Sequence, residues 1–96
     1  MTNKQVAECW ITQSKWSSIT IGNDKIFTRG GTIYSYGLHF PIASIDNIDG
    51  KSIVYLNISK TTNSTIKHRQ LVRNVIPNDY KIIEVTYNEL IELLNI

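Results

Sequence analysis

The run "SIDNIDGKSIVYLN", residues 44–57, decides the fold. Asp49-Gly50 stands between two stretches rich in β-branched residues. An Asp-Gly pair in that position signals a two-residue hairpin, because both central residues of the favoured turn need positive φ. The reading is two antiparallel strands, Phe40–Ile48 and Lys51–Ile58. In the second strand Ile53 and Tyr55 point to one face, and Val54, Leu56 and Ile58 to the other. Both faces are apolar, which predicts a central strand covered on two sides.

Moving toward the N-terminus, Lys25–Thr28 meets Thr32–Tyr36 across Arg29-Gly30-Gly31, whose glycines suit a tight turn. Ile19 and Ile21 lie in the extended stretch that begins at Trp16 and ends in a Gly22-Asn23-Asp24 turn. Thr2-Asn3-Lys4-Gln5 has capping-box spacing, and Val6, Ala7 and Trp10 recur at helical spacing, so residues 3–13 read as an amphipathic helix. On the C-terminal side a polar stretch leads to a helix over about Thr65–Ile76, with Ser64 or Thr62 as N-cap and Pro77 as its stop. Lys81–Val85 reads as a short strand. Thr86-Tyr87-Asn88-Glu89 is a second capping box and opens a helix with Tyr87, Leu90, Ile91 and Leu94 on one face. Leu93 and Ile96 fall off that stripe and pack either on the core or on a second chain, so a homodimer through the C-terminal helix is an open option. The order α-β-β-β-β-α-β-α with meander connections is an α+β domain: N-terminal helix, antiparallel β-meander sheet, helix packed on the sheet, short strand and C-terminal helix. Ninety-six residues make one such domain, 1–96.

Composition narrows the function classes. With 42% hydrophobic and 19% charged residues the chain is globular rather than disordered. The lone Cys9 allows no disulfide within the chain, reads as a small buried residue, and fits a reducing cytoplasm. No apolar run approaches the roughly 18 residues of a membrane helix and no signal peptide is visible, so the expectation is a protein of the cytoplasm with no membrane role. Two sequons, at Asn57 and Asn63, would matter only on a secretory route. The net charge of +2 is unevenly spread. Lys51, Lys60, Lys67, Arg69 and Arg73 fall in residues 51–78, which hold no acid, whereas Asp79, Glu84, Glu89 and Glu92 follow with one lysine. The middle block is where an anionic partner would bind.

Two stretches carry the chemistry. In "IYSYGLHFP", residues 33–41, strand alternation puts Thr32, Tyr34 and Tyr36 on one face and Ile33 and Ser35 on the other. Ile33 then holds the core while Tyr34 and Tyr36 form an outer platform for stacking bases or anchoring a protein. Gly37 turns the chain, Pro41 keeps Phe40 extended, and His39 sits on the corner. In "TTNSTIKHRQLVRNVI", residues 61–76, Leu71, Val72, Val75 and Ile76 form the apolar arc, with His68 near its middle. A histidine there is ordinarily buried with one hydrogen bond, to a strand carbonyl or a nearby hydroxyl. Arg69 and Arg73 share one flank and Lys67 lies toward the other, either a solvated face or a phosphate or carboxylate clamp. No P-loop, G-x-S-x-G, H-E-x-x-H or C-x-x-C is present, and two histidines make a weak metal site, so no catalytic residue, metal or cofactor is assigned.

The segments "VAECWITQS", "GGTIYSYGLHFPIA", "SIVYLNIS" and "TTNSTIKHRQLVR" occur in an order that resembles a family of small uncharacterised proteins of tailed phages, plasmids and archaeal viruses or their hosts. That family shows A-x-L-W-A-x-Q-S, then G-x-T-I-Y-S-Y-G-x-H-F-P-I-A, a hydrophobic strand, and T-T-S-x-H-x-x-x-V-R. The likeness spans about residues 6–76. Tyr34, Ser35, Tyr36, Gly37, His39, Phe40, Pro41, Thr65, His68, Val72 and Arg73 fall on matching positions. Glu8-Cys9 departs from the pattern, and Thr61-Thr62 lies further upstream than its spacing. The resemblance implies an origin and a site, with His68 reaching toward the Tyr36-Gly37-His39 corner and Arg73 nearby at the surface.

The binding set is therefore Tyr34, Tyr36, His39, Lys67, His68, Arg69 and Arg73. Three readings stand side by side. One is a phage or mobile-element module for nucleic acid or a host protein that handles it. Another is an inhibitor of a host enzyme or defence complex. The third is a small enzyme or nucleotide binder that uses its histidines.

Overall fold

A computed structural model describes residues 2–12, 21–37 and 40–94. In chain order these form α1 (Asn3–Thr12), β1 (Ile21–Gly22), β2 (Ile26–Arg29), β3 (Thr32–Ser35), β4 (Pro41–Ile48), β5 (Lys51–Asn57), α2 (Asn63–Val75), β6 (Lys81–Val85) and α3 (Tyr87–Leu94). The fold is the expected α+β arrangement. Asp49 and Gly50 take φ of 53° and 77°, the paired left-handed conformation that a two-residue hairpin demands, and β4 and β5 pair antiparallel across them. Both capping boxes close. Gln5 N–H donates to Thr2 Oγ1 and Thr2 N–H to Gln5 Oε1, with the same exchange between Thr86 and Glu89. Thr62 is the N-cap of α2, one of the two residues expected there.

The six strands lie in sequence order, and β1 to β5 form an antiparallel meander. After the α2 crossover, β6 joins β5 in parallel. β1 is an addition to the expected order; its Gly22 pairs with Phe27. The expected participation of Trp16 and Ile19, the α1 end at Gln13, the His39 corner and Ile96 lie outside the described residues.

One face of the sheet carries α1 and α2. Val6, Ala7 and Trp10 of α1 and Val72 of α2 pack with Ile26, Ile33, Ala43, Val54 and Leu56. Trp10 Nε1–H donates to the Gly31 carbonyl at 2.8 Å, so the buried indole has a partner for its N–H. The opposite face meets α3, where Ser44 and Tyr55 line a small cavity with Leu90, Leu93 and Leu94. β5 is thus covered on both faces, although Ile58 falls just beyond the strand and is exposed. A register shift lies between β3 and β4: Ile33 faces Ala43 and Tyr34 faces Pro41, so Ile42 is an extra residue on β4. The bulge lets Ile42 join Ala43 in the core although they are neighbours in sequence. No helix among the described residues is long and apolar enough to cross a membrane.

Candidate functional site

β3 and the first two turns of α2 meet over a chain of hydroxyls. Ser35 ends β3 on the face that carries Ile33, and pairs in register with Ile26 of the core. Its Oγ lies 2.8 Å from His68 Nδ1 and 3.2 Å from Thr65 Oγ1. Thr65 and His68 are one turn apart on α2 and so present the same face to the strand. The Thr62 hydroxyl donates to Thr65 Oγ1 at 3.1 Å, while Thr62 Oγ1 accepts the Thr65 N–H.

Thr62 donates into this chain, whereas between Ser35 and Thr65 either hydroxyl can be the donor, and the role of His68 Nδ1 toward Ser35 follows the tautomer of the ring. Burial pushes the His68 pKa below its ordinary value, and the Lys25 charge lowers it further. His68 is only 6% exposed, yet Nε2 has no hydrogen-bond partner among the described residues. Ser35 is 1% exposed, so its hydroxyl is sealed behind the imidazole rather than presented as a nucleophile.

Tyr36 forms the outer wall. Its φ is 60°, a left-handed conformation uncommon for an aromatic residue, and this reverses the alternation of the strand. Ser35 points to α2, and the Tyr36 ring, instead of joining Tyr34, lies against His68 with centroids 5.3 Å apart. Tyr36 N–H donates to the Lys25 carbonyl at 2.9 Å, so a lysine stands beside the tyrosine at the end of the β2–β3 hairpin. Tyr36 is 49% exposed.

Three expectations change. Tyr34 is no part of an outer platform: it is buried, stacked on Phe27 at 5.1 Å, and burial raises its hydroxyl pKa. The cause is the break in alternation at Tyr36 together with a cross-strand aromatic partner. Arg69 is not half of a clamp. Its Nη1 donates to the carbonyls of Asn57 (3.1 Å) and Ser59 (2.8 Å), bracing the segment between β5 and α2. Arg73 is paired with Glu84 on β6, at 3.4 Å with both side chains more than half exposed. Lys67 stands apart from these arginines, on the α1 side of α2 with Lys4. His68 is buried on a hydroxyl and beside Tyr36, as expected; His39 lies outside the described residues.

Sequence reasoning passed over Ser35, Thr62 and Lys25 as site members. The Ser35 signal was present in its strand parity with Ile33, which already aimed it at the core. Lys25 gave no signal, because its place depends on the hairpin register. Among the described residues no group of three or more histidines, cysteines or acids is close enough to hold a metal. Compared with models of protein families, with curated proteins and with solved structures, the chain finds no match in any of the three.

Proposed function

We propose that this protein is a small accessory binding module of a phage or mobile element, and that its Tyr36–His68 corner takes single-stranded nucleic acid in the cytoplasm of the host. The observation that carries this reading is Tyr36, an aromatic ring half in solvent on a left-handed backbone, backed by His68. Such backbone strain clusters at functional sites. A base stacked on one aromatic ring contributes about 1–3 kcal/mol, and any base will serve. Lys25 beside the ring supplies a phosphate contact, and His68 Nε2 a hydrogen-bonding edge for a base. With Arg69 committed to carbonyls and Arg73 to Glu84, the available positive charge is modest. Binding should therefore be weak and depend only shallowly on salt.

The test is a fluorescence-anisotropy titration with short single- and double-stranded DNA and RNA at low and near-physiological salt. Single strands should bind best. Tyr36→Ala should weaken them about tenfold or more, the equivalent of one lost stack. Arg73→Ala should leave binding within about twofold, since it gives up only an exposed ion pair. Absence of binding at low salt would overturn the reading.

A second reading is an inhibitor that docks on a host enzyme or defence complex. The burial of Tyr34 favours it, because Tyr36, left as the one aromatic more than about a third exposed among the described residues and with sparse charge around it, suits a pocket on a protein. Its mark would be a stable complex with one host protein that survives nuclease treatment and is lost in Tyr36→Ala.

A further inference from the structure

Away from the Tyr36 corner, α1 and α2 leave a groove of about 520 Å³ lined by Lys4, Lys67, Gln70, Leu71, Asn74 and Val75. Lys67, Gln70, Leu71 and Asn74 fall on one stripe of α2 at helical spacing, with Leu71 and Val75 supplying the apolar part. Leu71 and Val75 are only half-buried against the core. Neither Lys4 nor Lys67 makes an ion pair among the described residues. The groove is thus apolar with a cationic rim.

The complement is on the same chain. On α3, Glu89, Glu92 and Leu93 are exposed, at spacings of three and four residues that put them on one face. Leu93 is 53% exposed, a large apolar side chain beside two acids. Hydrogen bonds from Thr86 lower the Glu89 pKa.

One molecule cannot join the two surfaces. The groove lies on the sheet face covered by α1 and α2, and α3 lies on the other. We infer that the groove between α1 and α2 receives α3 of a second copy of this chain, Leu93 seating on Leu71 and Val75 while Glu92 and Glu89 meet Lys67 and Lys4. The contact is head-to-tail: each copy offers its groove to one neighbour and its α3 to another. Such contacts build rings or open chains rather than closed two-fold pairs. The surfaces are small, so assembly is weak and appears only as concentration rises. This inference concerns a different face from the Tyr36 corner and does not rest on the nucleic-acid reading.

Sedimentation velocity over a wide protein concentration range, at low and high salt, tests it. The expected result is growth beyond dimer with concentration, suppressed by salt. Lys67→Glu and Glu92→Lys should each weaken association about tenfold or more, because like charges then face each other. Both positions are exposed, and circular dichroism checks that each variant folds. An equimolar mixture of the two variants should regain assembly, because every groove then finds an α3 of opposite charge. A monomer at all concentrations would overturn the inference. So would association indifferent to both reversals, or a mixture that fails to recover.

Discussion

Ser35 and His68, thirty-three positions apart in the chain, share a 2.8 Å hydrogen bond that joins the end of β3 to the second turn of α2. Ser35 is buried and bonds to Thr65 as well, so its hydroxyl sits at the centre of the contact. Ser35→Ala should lower stability by about 1–3 kcal/mol, since a buried imidazole nitrogen loses its hydrogen-bond partner. Urea denaturation checks this; the midpoint should fall with an unchanged slope.

The same bond predicts a pH dependence. Burial, then the Lys25 charge, holds His68 below the pKa of about 6.5 it has in an unfolded chain. The folded state therefore prefers the neutral ring. Its stabilising contribution is complete above about pH 6.5 and is lost as pH falls through that value toward the lower folded-state pKa. Thermal midpoints should fall between about pH 7 and 5, and His68→Gln should flatten that decline. An equal decline in the variant would show that other groups cause it.

The two arginines of α2 should behave differently. Arg69→Ala removes two charge-assisted bonds to carbonyls and should cost about 1–3 kcal/mol. Arg73→Ala breaks an exposed pair and should cost less than about 0.5 kcal/mol. Chemical denaturation of the two variants side by side decides the matter, and equal losses would count against the bracing role of Arg69.

Thr28 offers a gain. It is fully buried, and its Oγ1 has no hydrogen-bond partner among the described residues. Thr28→Val keeps the shape and removes a polar atom that is costly to bury. The variant should be more stable by about 1 kcal/mol, a rise of about 4–8 °C in Tm for a domain of this size.

Tyr36→Gly separates stability from binding. Glycine takes a φ of 60° without strain, so the fold should be no less stable, or stabilised by up to about 1 kcal/mol. Single-stranded oligonucleotide binding should nevertheless fall as far as it does in Tyr36→Ala. A marked fall in Tm would instead make the ring a structural clamp over His68.

Local chemistry explains what was legible from sequence. The two capping boxes, the Asp49-Gly50 turn and the stop at Pro77 each act within a few residues, and all fall where their spacing put them. His68 could be read as buried because helical periodicity survives along α2. The site itself was harder. One left-handed residue, Tyr36, overturned the alternation that had paired it with Tyr34, and the extra Ile42 on β4 was invisible without its partner strand. Arg69 was misread for a related reason: its acceptors are main-chain oxygens on another element, and a sequence marks no carbonyl as unusual.

Four pairings of the sheet are local and one is remote. Strands β1 to β5 follow one another at short sequence separations, so each pairs with its neighbour at little loop-closure cost. β6 is different, because its parallel pairing with β5 closes over residues 58–80, a stretch whose ends are brought together at an entropic cost that no hairpin bears. α2 shortens that span only once its face has settled on the meander. Loop-closure entropy therefore predicts an order of assembly in which the meander forms first, then α2, then β6 with α3, so that the His68 contact forms midway and the helix that carries Leu93 docks last.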